Sequence, residues 1–158
     1  MNSEIMVKNW KISDESLEIR TALKDIYDDL VNSLKLFPNN YSLFTAGLVY
    51  GLLHNKRHDI KPTAAFTKLF AITDAASKDV IDLIYYVLDD GQKEKSEIWG
   101  DMLYIADGGV LELDDIYKSN KNFRIPHLLH EAEELWKDRI KILHNINLEG
   151  YNKSNNLE

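Results

Sequence analysis

Tyr41-Ser42-Leu43-Phe44-Thr45-Ala46-Gly47-Leu48-Val49-Tyr50-Gly51-Leu52-Leu53 is the most apolar stretch of the chain. It has the length of a buried core helix, and Asn40 or Ser42 can cap it, so a helix is expected from there to about His54. Little polar surface remains on any side, and a helix apolar all round is central. Leu48 and Leu52 are therefore expected to be almost fully buried. Gly47 and Gly51 fall on one face, four residues apart. A glycine inside a helix costs about 1 kcal/mol against alanine. A compensating contact is expected, in which another element approaches that face closely. The segment is too short for a membrane dimer of the G-x-x-x-G type.

The rest of the chain is read outward from this helix. Upstream, Ser13 precedes Leu17, Ala22, Leu23, Ile26, Leu30, Val31 and Leu34 at helical spacing, with Asp14, Glu15 and Glu18 in the first turns. This pattern predicts a helix over about 14–35, stopped by Phe37-Pro38. Downstream, Asn55 to Asp59 form a polar exit, and residues 63–73 suit either a short helix or an extended segment. Asp74 or Ser77 opens a helix through Leu88, with Gly91 placed for a left-handed stop. Gln92 to Ala106 reads as a helix, broken by Gly108-Gly109, with a short turn of helix over Val110 to Tyr117. Pro126 suits the first position of a last long helix, and the polar residues 151–158 read as a frayed tail. Strand-like alternation is nearly absent. The expectation is a mainly α, all-α single domain over 1–150: a bundle of five or six helices around the buried central one.

Composition narrows the chemistry. The 158 residues include no cysteine, which removes disulfides, thiolate zinc sites, iron–sulfur clusters and cysteine nucleophiles. The net charge of −7 disfavours a generic nucleic-acid coat. The amino terminus lacks the apolar run of a signal peptide, and no window approaches the roughly 18 apolar residues of a membrane span. A cytoplasmic protein without a membrane contact is expected.

Charge is divided unevenly. Residues 1–70 carry nine Lys/Arg and eight Asp/Glu, whereas residues 71–158 carry ten and eighteen. Within 89–115 nine acids stand against Lys93 and Lys95. They form either a solvated face or an acidic docking surface, for which Asp89, Asp90, Glu94, Glu97 and Asp101 are the candidates. Lys56, Arg57, His58 and Lys61 make the one compact basic cluster in the sequence and could touch DNA or a protein partner. The carbonyl end of the central helix attracts such cations without any ligand.

His127, His130, Glu131 and Glu134 have imidazole and carboxylate at helical steps, but not in the order of a zincin motif. They read first as a solvated helix face, so no metal and no cofactor is assigned. Asp89-Asp90-Gly91 lacks the register of a calcium loop. Gly108-Gly109 lacks the Lys-Ser/Thr of a phosphate loop. Ser77 and Ser96 have no legible base partner. Trp10, Trp99 and Trp136 read as core or interface anchors.

Three blocks follow in order. The first is Lys24-Asp25-Ile26-Tyr27-Asp28-Asp29-Leu30 leading to Leu36-Phe37-Pro38. The second is Leu43 to Gly51 leading to Asn55-Lys56-Arg57. The third is Glu97-Ile98-Trp99 with Tyr104-Ile105-Ala106-Asp107-Gly108-Gly109-Val110-Leu111-Glu112-Leu113. Over about residues 20–115 this order resembles the accessory family called Dnd system-associated protein, fourth type. That family is encoded beside genes for DNA phosphorothioation and its linked restriction. The resemblance implies a cytoplasmic accessory protein of antiphage defence, with proteins of a DNA modification and restriction system as partners. It supplies no catalytic residues. Two other readings stay open: a metal-dependent enzyme built on the His127–Glu134 helix, and an acidic mimic of DNA.

Overall fold

A computed structural model describes residues 10–119 of the chain. They lie within the first of its two units, Met1–Phe123. The described residues are mostly helical, with four helices and two short strands. In chain order these are β1 (Glu18–Thr21), α1 (Lys24–Tyr27), α2 (Asn40–Leu53), β2 (Ala64–Lys68), α3 (Ala75–Leu88) and α4 (Lys95–Ser119). The helix expected from Pro126 and the expected tail lie outside the described residues.

The expected central helix is α2. Its cap is Asn39, one residue earlier than expected, whose side-chain oxygen accepts from Ser42 N at 2.9 Å and Ser42 Oγ at 2.8 Å. Asparagine relieves the unpaired first-turn N–H groups there. The helix closes at His54. Asn55 adopts a left-handed φ of 52°, and Lys56 N donates to Gly51 O at 2.8 Å, the six-to-one bond of a left-handed helix stop. Leu43, Phe44 and Leu48 are fully buried, and Ala46, Gly47, Val49, Tyr50 and Gly51 join them. Leu52 departs from expectation and is only half-buried, because it sits in the last turn, where the helix leaves the core.

The element that approaches the glycine face is α4. A Cβ on Gly47 would lie 2.6 Å from Ala106 O and 2.5 Å from Val110 Cγ2. A Cβ on Gly51 would strike Ile105 O, and one on Gly109 would strike Gly47 O. The two backbones therefore run in contact, without side chains between them. This corrects the expectation that Gly108-Gly109 breaks the helix: α4 runs unbroken from Lys95 to Ser119. Glycine's local cost is outweighed by burial that only a missing Cβ permits. The exit loop of α2 then crosses α4 at Gly108, where a Cβ would lie 2.5 Å from Arg57 N.

The predicted helix over 14–35 is also corrected. Ile12–Asp14 form a single 3-10 turn, pinned to α3 by Ser13, whose N and Oγ donate to Asp82 Oδ1 and Oδ2 at 2.9 and 2.8 Å. Glu18 to Thr21 are extended, with Ile19 and Thr21 buried and Arg20 exposed, the two-residue period of a strand. The strand settles the ambiguity at 63–73 as well, because its antiparallel partner is β2. Glu18 and Ile19 face Lys68 and Thr67, then Arg20 and Thr21 face Ala65 and Ala64. Phe66 is the extra residue of the resulting bulge. Its ring packs 5.1 Å from that of Tyr27 in α1. Helix α1 passes directly into a wider π-helical stretch, Asp28–Ser33. Leu34 N donates to Asp29 O at 2.8 Å, and the stretch ends at left-handed Lys35.

Helix α3 follows expectation. Asp74 caps it by accepting from Ser77 Oγ at 2.7 Å, and Ile81, Ile84 and Tyr85 form its buried face. Gly91 is left-handed, at φ 77°.

Two glycines of α4 provide opposite tests of this packing. Nothing lies within 4 Å of a Cβ built on Gly100. Gly100→Ala should therefore raise stability by about 0.5–1 kcal/mol through helix propensity alone. Gly109→Ala should lower stability by about 1–3 kcal/mol, because it forces two backbones apart. Urea unfolding of both variants measures the signs. A neutral Gly109→Ala would remove the close contact.

Candidate functional site

The two charged groups singled out in the sequence meet on the outer side of α4. Arg57 Nε lies 2.8 Å from Asp59 Oδ1, and its Nη1 lies 3.3 Å from Asp101 Oδ1. Its guanidinium also sits 4.9 Å from the centre of the Tyr104 ring, a cation–π distance. The bond to Asp59, joined by that to Asp101, holds the Arg57 guanidinium above its ordinary pKa. Lys56 reaches Glu112 at 3.6 Å. The loop is fixed against the helix by backbone too: His58 N donates to Tyr104 O at 3.0 Å. Two cations of the basic cluster are thus committed to carboxylates of α4. Lys61 stands apart from them and has no ion pair among the described residues.

The acidic candidates divide in the same way. Asp101 is half-buried and flanked by two cations, Arg57 and Lys93, the latter at 3.1 Å. Its charge is compensated inside the fold. Asp89, Asp90, Glu94 and Glu97 are exposed, in the α3–α4 connection and the first turn of α4. Asp89 Oδ1 accepts from Gly91 N at 3.0 Å, and Asp90 Oδ1 from Gln92 N at 2.9 Å and Lys93 N at 3.2 Å. These N–H groups, that of Gln92 foremost, hold the Asp90 carboxyl below the usual carboxylate range. Both aspartates are thereby hydrogen-bonded to the backbone of the turn. Glu94 and Glu97 have no ion pair among the described residues. Four exposed carboxylates without an ion pair among the described residues thus stand close in sequence before and in the first turn of α4, with Lys93 among them.

One polar centre was not anticipated. Asp107, counted in the sequence with the acidic run, is only 1% exposed. Thr21 Oγ1 donates to its Oδ1 at 2.6 Å and Ala22 N to its Oδ2 at 2.8 Å, while Leu23 N donates to Thr21 Oγ1 at 2.9 Å. The Asp107 carboxylate therefore ties the β1–α1 junction to α4. Trp99 makes a second tie, donating from Nε1 to Glu18 O at 3.1 Å. The buried Tyr27 hydroxyl has no hydrogen-bond partner among the described residues. Burial and the negative field of Asp107 push its pKa well above the ordinary phenol value. The signal for Asp107 was present in the sequence: Leu103, Ala106, Asp107 and Val110 form one stripe at steps of three and four, which places the aspartate on the core face. Asp114, seven residues on, is buried as well, and Lys118 Nζ donates to its Oδ2 at 2.9 Å.

Among the described residues no group of three or more His, Asp or Glu could hold a metal ion. His127, His130, Glu131 and Glu134 lie outside them. No described helix is long and apolar enough to cross a membrane. Comparison with protein-family models, with curated proteins and with solved structures found no match to this chain.

The Asp107 contact makes stability depend on pH in a definite direction. Burial raises the folded-state pKa of Asp107 above its unfolded value, against the lowering by Ala22 N, Thr21 and nearby His58. A raised carboxyl pKa means that the folded state holds the proton more tightly. Its contribution is complete below the unfolded pKa of about 4 and is lost as pH rises through the folded pKa. Asp107→Asn lacks this titration. The stability difference between wild type and Asp107→Asn should shift in favour of the variant as pH rises from about 4. Urea titrations across that range check it, and a pH-independent difference would contradict the raised carboxyl pKa.

Proposed function

We propose that the protein is a non-enzymatic, cytoplasmic interaction module that docks a basic partner on Asp89, Asp90, Glu94 and Glu97. The observation that carries this reading is the separation of charge on α4. Asp101 and Glu112 are compensated by Arg57, Lys93 and Lys56, while Asp89, Asp90, Glu94 and Glu97, in the α3–α4 connection and the first turn of α4, stand exposed with no ion pair among the described residues. An exposed acidic surface steers a basic partner and speeds its association at low salt. The resemblance over residues 20–115 supports a partner among the modification or restriction proteins of a DNA phosphorothioation system. The architecture proposed with it is a compact bundle of five or six helices around the buried central helix. Direct DNA contact through Lys56 and Arg57 is the weaker reading, since both cations already face carboxylates.

Charge reversal of Asp89, Asp90, Glu94 and Glu97 together should weaken capture of the phosphorothioation or restriction proteins in affinity purification from the native host. The melting temperature should change little, because these side chains are exposed. Reversal of Lys56 and Arg57 should leave capture intact. A clean deletion should alter phage restriction or DNA sulfur content. Failure to recover any protein of such a system, with both phenotypes unchanged, would overturn the proposal.

A further inference from the structure

Beside the first turns of α4, β1, the Lys61–Pro62 segment and the first half of α4 enclose an open cleft of about 390 Å³. That is within the range of small-molecule sites, roughly 300–1,000 Å³. Trp99 and Leu103 supply an apolar floor, and Tyr104 lines one side. The cations on the lining are Arg20 and Lys61, against the single carboxylate of Glu18. Glu18 lies 3.4 Å from Arg20 and steadies the guanidinium at the rim. Lys61 has no ion pair among the described residues, so its ammonium is available. Ser16 and Ser96 contribute hydroxyls. Gly100 leaves the surface of α4 bare at the cleft, with nothing within 4 Å of its missing Cβ.

We infer that this cleft binds a small organic anion, a phosphate or carboxylate carried on a flat apolar body. Lys61 and Arg20 pair the anionic group, and the body lies over Gly100 against Trp99, Leu103 and Tyr104. A charged head with an apolar body fits because the lining combines both kinds of contact, and a bare ion would leave the apolar floor wet. A peptide added as a third strand fits less well. Side chains of α4 already occupy backbone groups along β1 and at its end: Trp99 Nε1 donates to Glu18 O, and Asp107 accepts from Ala22 N. This inference stands independently of the acidic docking surface.

The test is amide-shift titration of the full-length, nitrogen-15-labelled protein with phenyl phosphate, benzoate and inorganic phosphate. Phenyl phosphate or benzoate should give saturable shifts confined to residues 16–20, 61–62 and 96–104, and the tighter of the two identifies the head group. Inorganic phosphate should bind more weakly than the tighter organic anion. Lys61→Gln should weaken binding about tenfold through the loss of a charged hydrogen bond. Gly100→Leu should abolish binding by filling the cleft. Its thermal stability should not fall, since leucine favours the helix and meets no neighbour. The inference is overturned if neither organic anion saturates, if inorganic phosphate binds as tightly as both, or if a folded Gly100→Leu binds unchanged.

Discussion

The backbone contact between α2 and α4 is the constraint on which the rest of the structure depends. Gly47 and Gly51 on one helix and Gly109 on the other let main chain meet main chain, with Ile105, Ala106 and Val110 filling the flanks. Helix axes commonly stand 8–10 Å apart, at a distance set by the side chains at the contact. Removing those side chains draws the pair together and buries the middle of α2, from Leu43 to Gly51 except for half-buried Thr45. It also determines where the chain must go next. The loop leaving α2 has to cross α4 at once, and it does so over Gly108, which has no Cβ to obstruct the Arg57 backbone. Arg57 is thereby set beside Asp101 and over Tyr104. The charge pattern of the surface thus follows from the packing of two glycine faces.

The sequence disclosed part of this. The helix Asn40–Leu53 was legible because its apolar residues leave little polar surface, and the paired glycines announced a close neighbour. Which element that neighbour would be was not legible. Gly108-Gly109 read as a break, because local propensity penalises glycine in a helix while the compensating contact lies more than 50 residues away in sequence. The strand at Glu18–Thr21 was hidden for a related reason. Four residues with one exposed arginine carry a weak two-residue period, whereas the leucines and isoleucines around them supply a stronger helical one. Its partner segment, 64–68, was ambiguous alone and is fixed as a strand by pairing.

The site divides along the same line. Exposure of Asp89, Asp90, Glu94 and Glu97 was legible from the density of charge. The compensation of Asp101 was not, because it depends on Arg57, 44 positions earlier. Asp107 shows the converse case. Its charge suggested solvent, but its place on the Leu103–Val110 stripe puts it in the core, where Thr21 and Ala22 receive it. A count of charges therefore overstated the acidic surface, since Asp101 is paired and Asp107 and Asp114 are buried.

The most direct test of the central claim is a nuclear Overhauser measurement on protein labelled selectively at glycine and alanine. Cross-peaks from the Gly109 α-protons to those of Gly47 and Gly51, together with one between Gly108 and the Arg57 amide, are the predicted result. They require the two helix backbones, and the loop that follows α2, to be in contact. Gly47 and Gly51 showing cross-peaks only within their own helix would contradict the account. The positions of Arg57, Asp101 and the acidic end of α4 would then have no common cause.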